Sequence, residues 1–289
     1  MARSGLWRKA HTVPPEHGSW LWWLGPFAIG LAAGGTPGGD TAALFVAALA
    51  GFLLKQPATV AVKVLARRRP PEDMKPALVW MAIYAAVAAA AVPSLLAHGH
   101  ARILWLLVPG AGMFAWHLAL VARRTERRRM GVEILAGCVL ALAGPAAYWV
   151  AGGRAYPEPW VLWALCSLHT AASIANVYLR LDQRLWPSLP PLAARLRAGR
   201  ATLLWHVAGL AAAAGFAADQ HAPWAATVPF AVVLDDGVDA ALRPCVGARP
   251  AKVGIRQMVV MLVFVALMIA ASTPSTSTTA NGTVAAQGA

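Results

Sequence analysis

Basic residues in this chain gather around every second gap between its apolar runs, and that alternation leaves few folds open. Nine apolar runs stand at 18–34, 41–57, 77–97, 101–122, 132–151, 160–179, 201–218, 222–235 and 254–272. Of the 25 lysines and arginines, 23 cluster at the N-terminus and around the gaps after the second, fourth, sixth and eighth runs; the other side holds only Arg102 and Arg154. A helix needs about 20 apolar residues to cross the hydrocarbon core. Lysine and arginine resist translocation, so loops rich in them stay cytoplasmic. The pattern predicts an all-α integral membrane protein with about nine transmembrane helices, N-terminus in and C-terminus out.

Composition supports this class. Hydrophobic residues make up 58% of the 289-residue chain and charged ones 13%, where a soluble domain carries about a quarter. The net charge of +13 would suggest nucleic acid in a soluble protein. Here it flanks membrane spans without any recognition motif, so the expected partners are the bilayer and its anionic lipids, not nucleic acid. Cys138, Cys166 and Cys245 form no C-x-x-C pair, which leaves no readable disulfide framework or zinc site. Residues 1–17 read as a cytoplasmic lead-in to an uncleaved first helix, 18–272 as the membrane domain, and the uncharged Ser/Thr/Ala/Gly segment 273–289 as a disordered outer tail. After the Pro-rich break at 187–191, Leu192–Arg200 reads as a short interfacial helix.

Polar residues at membrane depth are costly, so each needs a reason. His169, Ser173, Asn176 and Arg180 are spaced i, i+4, i+7 and i+11, which places them within about 60° of one another on a helix. His169 is roughly 15 Å deep at 1.5 Å per residue. This stripe is either the wall of a polar cavity or a set of interhelical hydrogen bonds. His117 and His206 lie on the same inner half, and with His17 and His169 they are candidates for a metal or haem site, although no H-x-x-x-H spacing supports it. Lys55-Gln56-Pro57 closes the second run; Lys55 either snorkels to the surface or stands ready for an anionic ligand. Asp235, Asp236 and Asp239 follow a D-D-x-x-D pattern of the kind that holds Mg²⁺ on a diphosphate. Gly237 between them weakens the helix that this reading needs.

The opening run Pro14-Pro15-Glu16-His17-Gly18-Ser19-Trp20 resembles that of YwiC-like bacterial membrane proteins. The likeness continues through Phe52-Leu53-Leu54-Lys55-Gln56-Pro57, Glu126-Arg127-Arg128-Arg129 and Asn176-Val177-Tyr178-Leu179-Arg180. It implies residence in the bacterial cytoplasmic (inner) membrane and no established activity. The layout is also similar, more distantly, to the UbiA-type prenyltransferase bundle, which implies nine helices and aspartate motifs in the inner loops after helices two and six. No acid lies between Asp40 and Glu72, and only Asp182 follows the sixth run, so the usual two-magnesium diphosphate site cannot be assembled from those loops.

Three functions follow as expectations. The first is a cytoplasm-facing intramembrane pocket for an amphipathic, anionic ligand, lined by Glu16, His17, Lys55, Gln56, His117, His169, Ser173, Asn176, Arg180 and His206. The second is a diverged prenyl-transfer enzyme using Mg²⁺ at Asp235, Asp236 and Asp239, acting on an isoprenoid. The third is a small-molecule transporter.

Overall fold

The computed structural model describes residues 12–14, 17–125, 129–154 and 156–272. Among them the chain is all-helical, with no strand. Ten α-helices occur: α1 (His17–Gly34), α2 (Gly39–Leu65), α3 (Met74–Ala97), α4 (Leu104–Ala122), α5 (Met130–Leu140), α6 (Ala143–Val150), α7 (Glu158–Gln183), α8 (Leu192–Ala218), α9 (Thr227–Leu242) and α10 (Pro250–Ser272). Each of the nine apolar runs falls on a helical rod, with α5 and α6 forming two halves of one. Seven rods are long and apolar enough to cross a membrane. The two outside that group are α1, whose apolar residues are interleaved with tryptophan and glycine, and α9, which has 16 residues.

Several helices differ from the sequence expectation at their ends. Proline was expected to close the second span, yet α2 runs through Pro57 to Leu65. Prolines also lie inside α1, α3 and α4, which membrane helices tolerate because neighbouring groups satisfy the freed carbonyls. Leu192–Arg200 is not a separate interfacial helix. It is the first part of the 27-residue α8, because no breaker separates Arg200 from Ala201 and Gly199 lies against Ala241. Pro229 sits in the first turn of α9, where its missing N–H costs nothing. The expected outer tail, 273–289, lies outside the described residues.

α7 is the hub. In its most apolar 18-residue window 72% is buried, against 6% for α4 and 11% for α3 with its leading turn. It contacts α5, α6, α8, α9 and α10. One core joins Ile29, Leu165, Phe230, Val233 and Phe264, with Phe230 and Phe264 edge to face at 5.2 Å. A second core, around Trp23, Phe27, Phe45 and Phe52, joins α1 to α2 through tilted and edge-on ring contacts.

The α1–α6 contact is unusually close. A Cβ on Gly30 would collide with the backbone of Gly144, and one on Gly34 with that of Tyr148. Small residues let membrane helices approach until backbone meets backbone, which replaces the hydrophobic drive that lipid does not supply.

Candidate functional site

The four-residue stripe on α7 is wholly internal: His169, Ser173, Asn176 and Arg180 are 1–4% exposed. Its partners come from α9 and α10. Gln257 donates to Ser173 Oγ at 2.6 Å. His169 Nε2 meets Met261 Sδ at 2.9 Å, and its ring stacks on Phe264 with centroids 3.6 Å apart. Gln257, Met261 and Phe264 repeat the i, i+4, i+7 spacing of the α7 stripe, so two antiparallel helices meet along matching faces.

Toward the basic-loop end the stripe becomes charged. Asn176 donates to Asp236 Oδ2 at 2.6 Å. Arg180 Nη2 reaches Asp236 Oδ1 at 3.5 Å and Asp239 Oδ2 at 3.2 Å. From α10, Arg256 Nε donates to Asp236 Oδ1 at 2.8 Å and Nη2 to Asp239 Oδ2 at 2.7 Å. Arg243 adds a long contact to Asp239 at 3.5 Å. Below, Gln183 donates to the Ala240 carbonyl at 2.7 Å, and Cys245 Sγ to the Arg180 carbonyl at 3.1 Å. Two guanidinium groups and two carboxylates thus neutralise one another between three helices. Exposure grades outward: side chains of Arg180 and Asp236 are 5% and 9% exposed, those of Asp239 and Arg256 22% and 45%.

Gly237 belongs to this geometry. The helix continues through it, and a Cβ there would sit 2.8 Å from His206 Nδ1. The glycine that weakened the helical reading is what lets α8 seat a histidine against α9. His206 itself bonds to the Thr202 carbonyl at 2.7 Å.

The polar inventory is not fully satisfied. His169 Nδ1, Asn176 Oδ1 and Arg180 Nε are buried without a hydrogen-bond partner among the described residues. An unpaired buried polar group costs about 1–3 kcal/mol, more if charged.

The other expected site residues are not drawn into this centre. Lys55 and Gln56 lie on α2, with Lys55 ten residues inside its end, roughly 15 Å deep rather than at the edge. His117 of α4 meets Thr59, one turn below Lys55, at 3.3 Å. At a similar level Tyr84 of α3 donates to the Thr12 carbonyl at 3.0 Å. Glu16 and the side chain of His17 lie outside the described residues. His117, His169 and His206 thus have separate partners, and no group of three His, Cys, Asp or Glu among the described residues is arranged to hold a metal ion. Asp235 is exposed and joins no ion pair among them.

Sequence reasoning missed Arg256 and Gln257. The signal was present: α10 is apolar apart from its first two turns, and its polar residues share the stripe spacing.

The family model described as YwiC-like protein matches residues 13–148. No curated protein and no solved structure matches the chain. The matched segment covers α1 to the middle of α6 and contains Lys55, Gln56 and His117, whereas the charged centre on α7, α9 and α10 lies beyond it. With seven helices able to cross a membrane, the chain is a polytopic membrane protein, YwiC-like from Val13 to Tyr148.

Proposed function

We propose that the chain crosses the bacterial cytoplasmic membrane nine times, N-terminus in, and holds an amphipathic anionic ligand by its headgroup at Arg180 and Arg256. The observation that carries this reading is the graded charge centre. Arg256 stands at the mouth, Arg180 beneath it, and both already meet carboxylate oxygens. A phosphate or carboxylate headgroup offers a guanidinium the same bidentate contact. It would compete first with Asp239, the more exposed of the two acids. The unpaired atoms of Asn176 and His169 lie further along the same stripe. The asymmetry of 23 basic residues to two supports the orientation and concentrates anionic amphiphiles at that end.

The test is to identify, by native mass spectrometry, what copurifies with the protein in mild detergent. An anionic amphiphile retained by the wild type and lost from Arg256→Gln is the expected result. Equal retention by Arg180→Gln and Arg256→Gln would remove the site. Binding of a prenyl diphosphate that requires Mg²⁺ and Asp236 would instead favour the transferase class.

A further inference from the structure

Of the two basic residues on the basic-poor side, Arg102 and Arg154, the first lines a cavity. This cavity of about 300 Å³ lies at the end of the bundle opposite the arginine-rich loops, lined by Gly99, His100, Arg102, Ile103, Trp149 and Gly153. Arg102 lines it directly, whereas the Arg154 side chain is turned to Glu158. The α3–α4 turn forms one wall and the end of α6 the other.

That wall is built rather than incidental. Asp40, in the first turn of α2, accepts from His100 Nε2 at 3.0 Å and from His98 Nδ1 at 2.6 Å. One carboxylate thus fixes both imidazoles of the His98-Gly99-His100 turn, where Gly99 has φ +85°. The His100 ring is held with its Nδ1 left over. Asp40 is spent on the two rings, and Glu158 faces Arg154 at 3.9 Å. Arg102 has no such acid among the described residues. Across the cavity, Trp149 stacks edge to face on Trp160 at 5.6 Å, which gives a firm apolar side.

We propose that this cavity is a binding site for a small organic carboxylate, with Arg102 as its charge partner, His100 as a second polar contact positioned by Asp40, and Ile103 and Trp149 against its apolar body. Basic residues are disfavoured on the translocated side, so an arginine lining a cavity there calls for a reason. A single guanidinium matches a carboxylate bidentately. The volume is at the small end of the ligand-pocket range of about 300–1,000 Å³, which suits a single-ring acid.

The experiment is isothermal titration of the full chain in nanodiscs with benzoate, and with benzamide as the neutral analogue of the same shape. Saturable benzoate binding is expected, weakened at least tenfold in Arg102→Gln and several-fold in Asp40→Asn, with benzamide no better than the Arg102→Gln variant. Thermal unfolding of each variant checks that the fold is kept. Absence of saturable benzoate binding would overturn the proposal. So would binding that survives Arg102→Gln, and if that binding is lost in Arg256→Gln it belongs to the opposite end.

Discussion

Replacing Asp236 by asparagine tests the charged centre most sharply. Its carboxylate accepts from Asn176, Arg256 and Arg180 at once. The substitution keeps the volume and removes the charge. Arg180, 5% exposed, is left with Asp239 alone at 3.2 Å. Removing one partner of a buried ion pair costs about 3–5 kcal/mol. Arg256 is 45% exposed and its share is screened by solvent, so the lower end, about 3 kcal/mol, applies. For a chain of this size that is a fall in Tm of roughly 6–12 °C. The assay is thermal unfolding followed by a thiol-reactive fluorophore, since Cys166 is buried until the bundle opens. Asp239→Asn, at a site 22% exposed, should lose only about 1 kcal/mol. The double change Arg180→Gln with Asp236→Asn removes both charges and should recover at least half the loss. A ranking with Asp239→Asn worse than Asp236→Asn, or a double variant no better than the single, would refute a network governed by desolvation.

Other changes probe separate contacts. Gly237→Ala forces a methyl into the His206 ring and should cost about 1–3 kcal/mol by overpacking, partly relieved by His206→Ala in the same unfolding assay. Gly30→Leu cannot be accommodated against Gly144 and should abolish recovery of monodisperse protein on gel filtration, whereas Gly51→Leu, in open space, should not. Tyr84→Phe removes the bond to the Thr12 carbonyl and should lower stability by about 1 kcal/mol. Reporter fusions ending at Arg69, Arg129 and Pro187 should report cytoplasm and one ending at Gly153 the outside; the reverse pattern would overturn the orientation.

The helical rods were legible because their signal is local: twenty apolar residues and a gap. The α7 stripe was legible for the same reason, since its spacing is a property of one helix. What the stripe meets was not, because Asp236 is 60 residues and Gln257 84 residues from their α7 partners, and no periodicity reports such a distance. The expectation that Lys55 and His117 face the stripe rested on equal depth alone. Depth fixes one coordinate, and the partner shown for His117 is Thr59 of α2. Ala171 and Ala175, off the stripe, are as buried as the stripe itself. A central helix has no lipid face, so polarity on α7 marks where partners are polar rather than where protein begins.

The backbone contact between Gly30 and Gly144 also sets an order of assembly. α1 is made before α6, and its partner lies about 110 residues later in the chain. At roughly 5–20 residues per second of synthesis, α1 waits on the order of 5–20 s for α6. Through that interval it is a helix of modest apolarity in lipid or at the insertion machinery, with its glycine face uncovered. The final fold therefore depends on a helix that cannot dock until about 110 further residues have been made, and slowing synthesis between Gly34 and Ala143 lengthens its exposure without touching the native structure.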